Sequence, residues 1–410
     1  MRFRKEFYAL IAVSTMSMMA SAVVDPVFPL RIVQLGASDL ELGSIVAFAS
    51  MALLVVRFPI GMISSRIRFR TAASIALLGQ FAAIVLYAIS PAYSWFAPAR
   101  TVASLSMALL GINMMVTIAS IVPQNEIGRA VATYLASFGI SGTLGPLITS
   151  LLLTHLPYDQ IMMVASALPL IALVTVNAIG DIERYSGDPK ESDLDESLMA
   201  WVERSVGELL NLARQREMAV AGFLHFLFGL TATFVVTFFT VYAVDELLIP
   251  AYVVTLIISS RGLANTLSRL PASYLMDRVS TRKILVVAFT GLAASYLVLS
   301  LQGNALLLTV GNLMLGLAWG MRAVVEWTVA ESSVPPKTRT ISSAYMSFLW
   351  DAAGSIGGMV GGFLAVVFSI SSVFLFSSIL MVAGAAIAWI FGVETKATSS
   401  LPVTEPTAMV

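Results

Sequence analysis

Twelve long apolar runs constrain this chain more than any other feature. They lie near 7–30, 42–63, 71–90, 97–121, 128–153 and 160–180, then near 218–241, 251–275, 282–301, 305–330, 340–368 and 371–392. Each approaches the roughly 20 residues that a helix needs to cross the hydrocarbon core of a bilayer. Their Leu, Val and Ala are broken by Gly and Pro without period-2 alternation, a pattern of helices and not of a transmembrane barrel. Composition agrees. Only 12% of residues are charged, against about 25% in a soluble domain, and 58% are hydrophobic with a mean hydropathy of +0.88. A soluble globule of 410 residues could not hide that much apolar surface. The expectation is an all-α polytopic membrane protein with the lipid bilayer as its solvent. The start, Met1-Arg2-Phe3-Arg4-Lys5, resembles a signal-peptide n-region, but the apolar run after it is too long and lacks a small-residue cleavage site. It reads as the first span.

Several chemistries are excluded by inventory. The chain has no cysteine, so a disulfide framework, an iron–sulfur cluster, a thiolate zinc site and a Cys nucleophile drop out. Two histidines, His155 and His225, are too few and too far apart for a His-based metal cluster, and no metal or other cofactor is expected. A net charge of zero without a long basic run leaves no footprint for nucleic acid. Orientation follows from Lys and Arg in the connectors. Arg2, Arg4, Lys5, Arg66, Arg68, Arg70, Arg129, Arg278, Arg282, Lys283, Lys337 and Arg339 fall on one side, whereas the opposite connectors hold only Arg31. Both termini are therefore expected in the cytoplasm, in a multi-pass protein of the cell membrane.

The spans form two sets of six. Adding 212 to positions in the first set lands on the second nearly helix for helix: Arg57 on Arg269, Pro59 on Pro271, Arg66 on Arg278, Arg70 on Arg282, Gly79 on Gly291, Val122-Pro123 on Val334-Pro335, Gly142 on Gly354 and Gly145 on Gly357. Six spans per half make the repeat parallel, related by an axis along the membrane normal, and such repeats place a substrate site between the halves near the midplane. The expected organisation is a six-helix bundle over 1–180, a linker over 181–217, a second bundle over 218–392 and a cytoplasmic tail over 393–410. The linker begins acidic (Asp181, Glu183, Asp188, Glu191, Asp193, Asp195, Glu196) and then becomes amphipathic. Leu198, Val202, Val206, Leu209, Leu210 and Ala213 share one face, which with Trp201 predicts a helix on the cytoplasmic surface. It reads either as a tether that lets two bundles rock or as a regulatory docking site.

Two loops at equivalent places carry related motifs. After the second span comes Arg57-Phe-Pro-Ile-Gly61-Met-Ile-Ser-Ser65-Arg66-Ile-Arg68-Phe-Arg70; after the eighth comes Arg269-Leu-Pro-Ala-Ser273-Tyr-Leu-Met-Asp277-Arg278-Val-Ser-Thr-Arg282-Lys283. A small residue lets helices approach, a carboxylate can cap a neighbouring helix N-terminus, and arginines anchor a short loop at the headgroups. The pair resembles the Gly-x-x-x-Asp-Arg-x-Gly-Arg-Arg loop of the major facilitator superfamily, which occurs once in each half. Ser65 stands at the first Asp position, Arg68 at the second Gly position, and Ser273 at the first Gly of the second copy. In that family the Asp helps latch the cytoplasmic side, so a latch through Ser65 would be weaker or use other groups. The resemblance implies cytoplasmic gate loops at Gly61, Ser65, Arg66, Arg70, Asp277, Arg278 and Arg282. The fifth span, Gly139-Ile-Ser-Gly142-Thr-Leu-Gly145-Pro146, has a nearly side-chain-free face and a bend at Pro146. It is similar to the Gly–Pro motif of the family's exporters, with Thr149 and Ser150 where a Gly pair would follow. It reads as a hinge favouring export, or as tight packing, which Gly354, Gly357, Gly358, Gly361 and Gly362 provide without proline. Arg100, with Ser104 four residues on, resembles an Arg-x-x-x-Gly family motif linked to proton coupling.

An ionised side chain at the centre of a span costs roughly 2.5–3.5 kcal/mol, so each one needs a partner or a wet cavity. The set is Asp25, Glu326 and Asp351 against Arg57, Arg100, Arg261, Arg269 and Arg322. Arg322 and Glu326, four apart on one helix, can neutralise each other or line the pathway. Asp25, followed by Pro26 and Pro29, can bind a proton or a cation, or cap the outer end of its helix. Asp351 and Arg261 both sit mid-helix, on spans that the resemblance to the major facilitator superfamily implies border the bundle interface, either as a static ion pair or with a carboxylate that changes partner as the cavity turns. Arg57 and Arg269 sit near helix ends and can snorkel. His225 could titrate near neutrality or serve as a satisfied hydrogen-bonding group.

These readings point to a secondary transporter of a small solute working by alternating access, coupled to protons, with export or antiport preferred over uptake symport. It is expected to work without a nucleotide-binding loop and to be functional as a monomer. An intramembrane hydrolase would need a Ser–His pair, a His cluster or close catalytic carboxylates, which the inventory does not supply. A non-transporting sensor would carry a soluble domain, and neither the short N-terminus nor 393–410 is expected to be one.

Overall fold

A computed structural model of the chain describes residues 5–123, 126–179, 198–334 and 339–392, without side chains at 58, 61–66, 119, 127–128, 198, 200–202 and 339–340. The N-terminal arginines, the acidic part of the linker, Lys337 and the tail lie outside the described residues. The helices are α1 (Lys5–Val24), α2 (Phe28–Gln34), α3 (Asp39–Arg66), α4 (Phe69–Ile89), α5 (Phe96–Ile121), α6 (Ile127–Leu152) and α7 (Tyr158–Ala178). They continue with α8 (Leu198–Ala213), α9 (Arg216–Val241), α10 (Ala251–Met276), α11 (Thr281–Ser300), α12 (Ala305–Ser332), α13 (Arg339–Val367) and α14 (Ile370–Phe391). Eleven spans meet the length and apolarity that a membrane crossing needs. The twelfth, α10, is as long as α9 but carries Arg261 and Arg269 in its interior.

The first span, expected near 7–30 with Pro26 and Pro29 freeing backbone groups toward its outer end, runs over Lys5–Gln34. It is α1 and α2 joined by the turn Asp25-Pro26-Val27. Pro26 has no N–H to give to the carbonyl of Ala22, and Pro29 falls in the first turn of α2, where its missing donor is harmless. The break leaves the carbonyl of Ala22 without its helical donor, three residues before Asp25, whose own N–H still bonds the carbonyl of Ser21 at 2.8 Å.

The 212-residue offset holds in three dimensions. Asp39, Phe69, Ile127 and Tyr158 begin helices, and so do Ala251, Thr281, Arg339 and Ile370. Equivalent glycines meet equivalent neighbours. Gly79 lies against Ser106, and Gly291 against Ala318. Between the bundles, α3 crosses α13 and α6 crosses α10, and the offset turns one crossing into the other. A Cβ on Gly262 would collide with the carbonyl of Gly142, and one on Gly354 with Ser50, again a related pair of contacts. Gly145 packs on Ala22 within its own bundle, as Gly357 packs on Leu230 and Thr233. Small residues of this kind let helix backbones approach where no hydrophobic effect drives them together.

Outward faces are apolar: Val55, Leu151, Val174, Leu270 and Phe363 are all more than half exposed, as lipid contact requires. The amphipathic helix α8 runs as the sequence predicts, although its seam is rotated. Leu209 and Leu212 bury against Met218, Ala330, Tyr345 and Met346 of the second bundle, while Val206 and Leu210 stay exposed. Docking on protein has taken the place of lying free on the surface.

Away from the basic connectors the bundles meet most tightly, where Gly43 faces Gly358 and Leu40 faces Gly362. The structure is shut at that end. Gly358→Leu therefore props it open. With Ser50→Cys in the naturally cysteine-free chain, labelling from that side by a membrane-impermeant maleimide is expected to accelerate about tenfold, the effect of ~1.4 kcal/mol on the opening equilibrium.

Candidate functional site

A cavity of about 270 Å³ lies between the bundles at the level of the α1–α2 break. Asp25, Phe28, Arg100 and Ser104 line it from one side, and Thr233, Trp350 and Asp351 from the other. A second space of about 160 Å³ adjoins it through Asp25 and Val236 and is bounded by Gly142, Pro146 and Arg261. Four of the seven pathway candidates thus converge on one place: Asp25, Arg100, Arg261 and Asp351.

Their pairing differs from the expected one. Asp25 accepts from Arg100 Nη1 at 3.2 Å, and the guanidinium lies 4.8 Å from the Phe28 ring centroid. The capping role considered for Asp25 is replaced by this ion pair. Asp351 does not pair with Arg261. Arg57 reaches it across the gap, donating Nε to Oδ2 at 2.5 Å and also Nη2. Arg57 was expected to snorkel; it turns inward because α3 crosses α13 there and Asp351, 5% exposed, needs a counter-charge. Its counterpart Arg269 has no such partner, because Gly139 occupies the position equivalent to Asp351. Arg269 instead donates to Asn265 Oδ1 at 3.0 Å on its own helix. The ion pair between bundles is therefore one-sided.

Arg322, Glu326 and His225 form a separate cluster inside the second bundle. Arg322 donates to Glu326 Oε2, His225 Nδ1 stands 3.1 Å from the same oxygen, and the guanidinium lies 3.8 Å from the Phe228 ring centroid. All three are buried, away from both cavities, with Trp350 as the link: its ring is 5.6 Å from His225 and also lines the larger cavity. The repeat supplies Val13, Leu110 and Met114 at the equivalent places, all buried. The architecture thus tolerates a purely apolar cluster where the second half has charges.

The loop residues brace their own bundles. Arg70 donates to the carbonyl of Ile179 at 2.7 Å, Arg278 bonds Tyr274, and Arg282 lies over Trp389 near the end of α14. Asp277 ends α10. The side chains of Ser65 and Arg66 lie outside the described residues, and Gly61 is described only as helical backbone. In α6, the two residues standing where a glycine pair was expected both bond carbonyls of other helices: Thr149 that of Val23 at 2.7 Å, Ser150 that of Tyr252 at 2.7 Å across the bundles. Sequence reasoning passed over Thr233 and Trp350 on the cavity wall. The glycines of α13 held the signal, because Trp350 and Asp351 lie four and three residues before Gly354, on the face that marks the crossing.

Two six-helix bundles related by a parallel repeat, enclosing a charged cavity at midplane, define the architecture of a secondary transporter. The sequence profile of the Major Facilitator Superfamily matches residues 10–248 and 221–408, and the chain belongs to that family. No curated protein sequence matches it. Among solved structures, a POT family transporter in complex with 5-aminolevulinic acid superposes with a TM-score of 0.80 at 12% identity, covering 94% of this chain and 96% of that one. The nucleoside transporter NupG gives 0.75 at 14%, covering 94% and 99%, and a D-xylose–proton symporter 0.73 at 14%, covering 95% and 98%. At such identity these likenesses speak for the fold.

Removing one member of a buried ion pair strands the other, at about 3–5 kcal/mol. Glu326→Gln is expected to lower the unfolding temperature of the detergent-solubilised protein sharply. The triple variant His225→Val, Arg322→Leu, Glu326→Met installs the residues of the first half, and intrinsic fluorescence on heating should show most of that loss recovered.

Proposed function

We propose that the chain moves its small solute by alternating access coupled to protons, with Asp351 as the coupling carboxylate and Asp25 beside the solute. The observation that carries this is the Arg57–Asp351 ion pair, because it joins the bundles and its carboxylate lines the cavity. An ionised Asp351 holds Arg57 and so favours the bundle arrangement seen here. A proton on Asp351 removes the attraction and frees Arg57, so proton occupancy and bundle position become linked. The loops at Gly61–Arg70 and Asp277–Arg282 act as cytoplasmic gates, each bundle moving with its own braced loop. The basic connectors face the cytoplasm of a cell-membrane protein that works as a monomer.

Export by antiport is the direction proposed. Packing on Ala22 accounts for Gly145, whereas a Cβ at Gly142 would meet open space, so Gly142 and Pro146, which border the smaller cavity, are the residues that support it. Uptake by symport is the second reading, favoured by the likeness to a D-xylose–proton symporter.

Proteoliposomes with an internal pH dye and an imposed pH gradient test both. Solute-dependent proton movement is expected in the wild type and lost in Asp351→Asn, and its sign separates antiport from symport. Arg57→Gln with Asp351→Asn should restore thermal stability relative to Asp351→Asn alone while leaving proton coupling absent. Solute flux without a proton signal, unchanged in Asp351→Asn, would refute the coupling.

A further inference from the structure

The cavity walls carry Asp25, Asp351, Arg100 and Arg261, and with Arg57, which bonds Asp351 without lining either cavity, three arginines stand against two aspartates. Asp25 is matched by Arg100, and Asp351 by Arg57. Arg261 is left over. Its Nη1 is buried and has no hydrogen-bond partner among the described residues, in the wall of the smaller cavity beside Pro146 and Thr240. A guanidinium inside a membrane protein needs a counter-charge, and no carboxylate pairs with Arg261 among the described residues. We infer that Arg261 is the anion-binding residue of the solute site, and that the solute is a small monoanion, a carboxylate or its equivalent, with an apolar body. The inference rests on the transporter reading above and names its substrate class.

Three further features bear on it. The repeat places Ala49 where the second half has Arg261, and Ala49 lines the larger cavity, so helix packing does not demand an arginine at this position. The backbone at Arg261 is clamped on two sides, by Gly316 against its carbonyl and by Gly262 against Gly142 of the other bundle. The clamp fixes where the side chain starts, and a planar guanidinium suits two-point hydrogen bonding to a carboxylate better than an ammonium would. Through the shared boundary at Asp25 and Val236, the rest of a bound molecule would reach Phe28 and Trp350 of the larger cavity. An anion seated there brings the net charge of the whole site to zero.

The test is thermal stabilisation of the full-length protein in detergent by matched probes: benzoate, benzamide and benzylammonium, then hexanoate, hexanamide and hexylammonium. Carboxylates are expected to stabilise the wild type and their neutral and cationic counterparts not to. Arg261→Ala is expected to raise the half-saturating carboxylate concentration roughly ten- to a hundredfold, with Arg261→Lys in between. Stabilisation by the ammonium probes over the carboxylates, no response to either carboxylate at millimolar concentration, or a full response in Arg261→Ala would each overturn the assignment. If Arg261→Ala stops flux yet binds carboxylates like the wild type, Arg261 acts through Asp25 and the assignment also falls. A neutral or cationic solute carried by Arg261→Ala but not by Asp351→Asn would keep the transporter and remove the anion. Absence of flux of any solute by the wild type would instead count against the transporter reading.

Discussion

Two helix crossings hold this molecule together, α3 on α13 and α6 on α10, and everything at the centre of the membrane depends on how closely they approach. In a bilayer, apolar side chains gain nothing by turning from lipid to protein, so contact has to come from backbones that fit and from polar groups with no better partner. Glycines at 43, 262, 354 and 358 supply the fit. Ser150 and Ser259 supply hydrogen bonds to carbonyls of the opposite bundle at 2.7 Å each. Between the crossings a space is left over, and that space is the cavity lined by Asp25, Arg100 and Asp351.

The repeat acts as an internal control on what the fold requires. Where both halves keep the same residue type in the same contact, as at Gly79 and Gly291, the position serves packing. Where they diverge, chemistry has been added to one copy. Asp25 and Arg100 form a pair in the first half, and Thr237 and Asn312 stand at the equivalent places in the second. The cluster of His225, Arg322 and Glu326 replaces three buried apolar residues. Most of the charge in the membrane lies at such divergent positions, so the polarity of the interior is an addition to the scaffold and not a part of it.

Spans, repeat and central amphipathic helix were legible in the sequence because each depends on local apolarity over one helix length. The pairing of charges was not. Arg57 could be placed on the second span, but whether it faced lipid, headgroups or another bundle depended on the rotation of α3 and on which helix crosses it. Arg322 with Glu326 was legible because both lie on one helix, four residues apart. His225 joined them only through the packing of α9 on α12, which no local pattern states. The break in the first span was half visible: two prolines were noted, but not that the chain would turn at Asp25.

The docking of α8 sets the length of the tie between the bundles. With its apolar seam on Tyr345 and Met346, this helix belongs mechanically to the second bundle, and it also touches α3 of the first. In sequence, residues 180–197 separate the described part of the first bundle from α8, whereas an undocked α8 would lengthen that connection to the start of α9. Peeling α8 away would expose Leu209 and Leu212 and remove its contact with α3 at once, so one short helix couples burial in the second bundle to touch with the first.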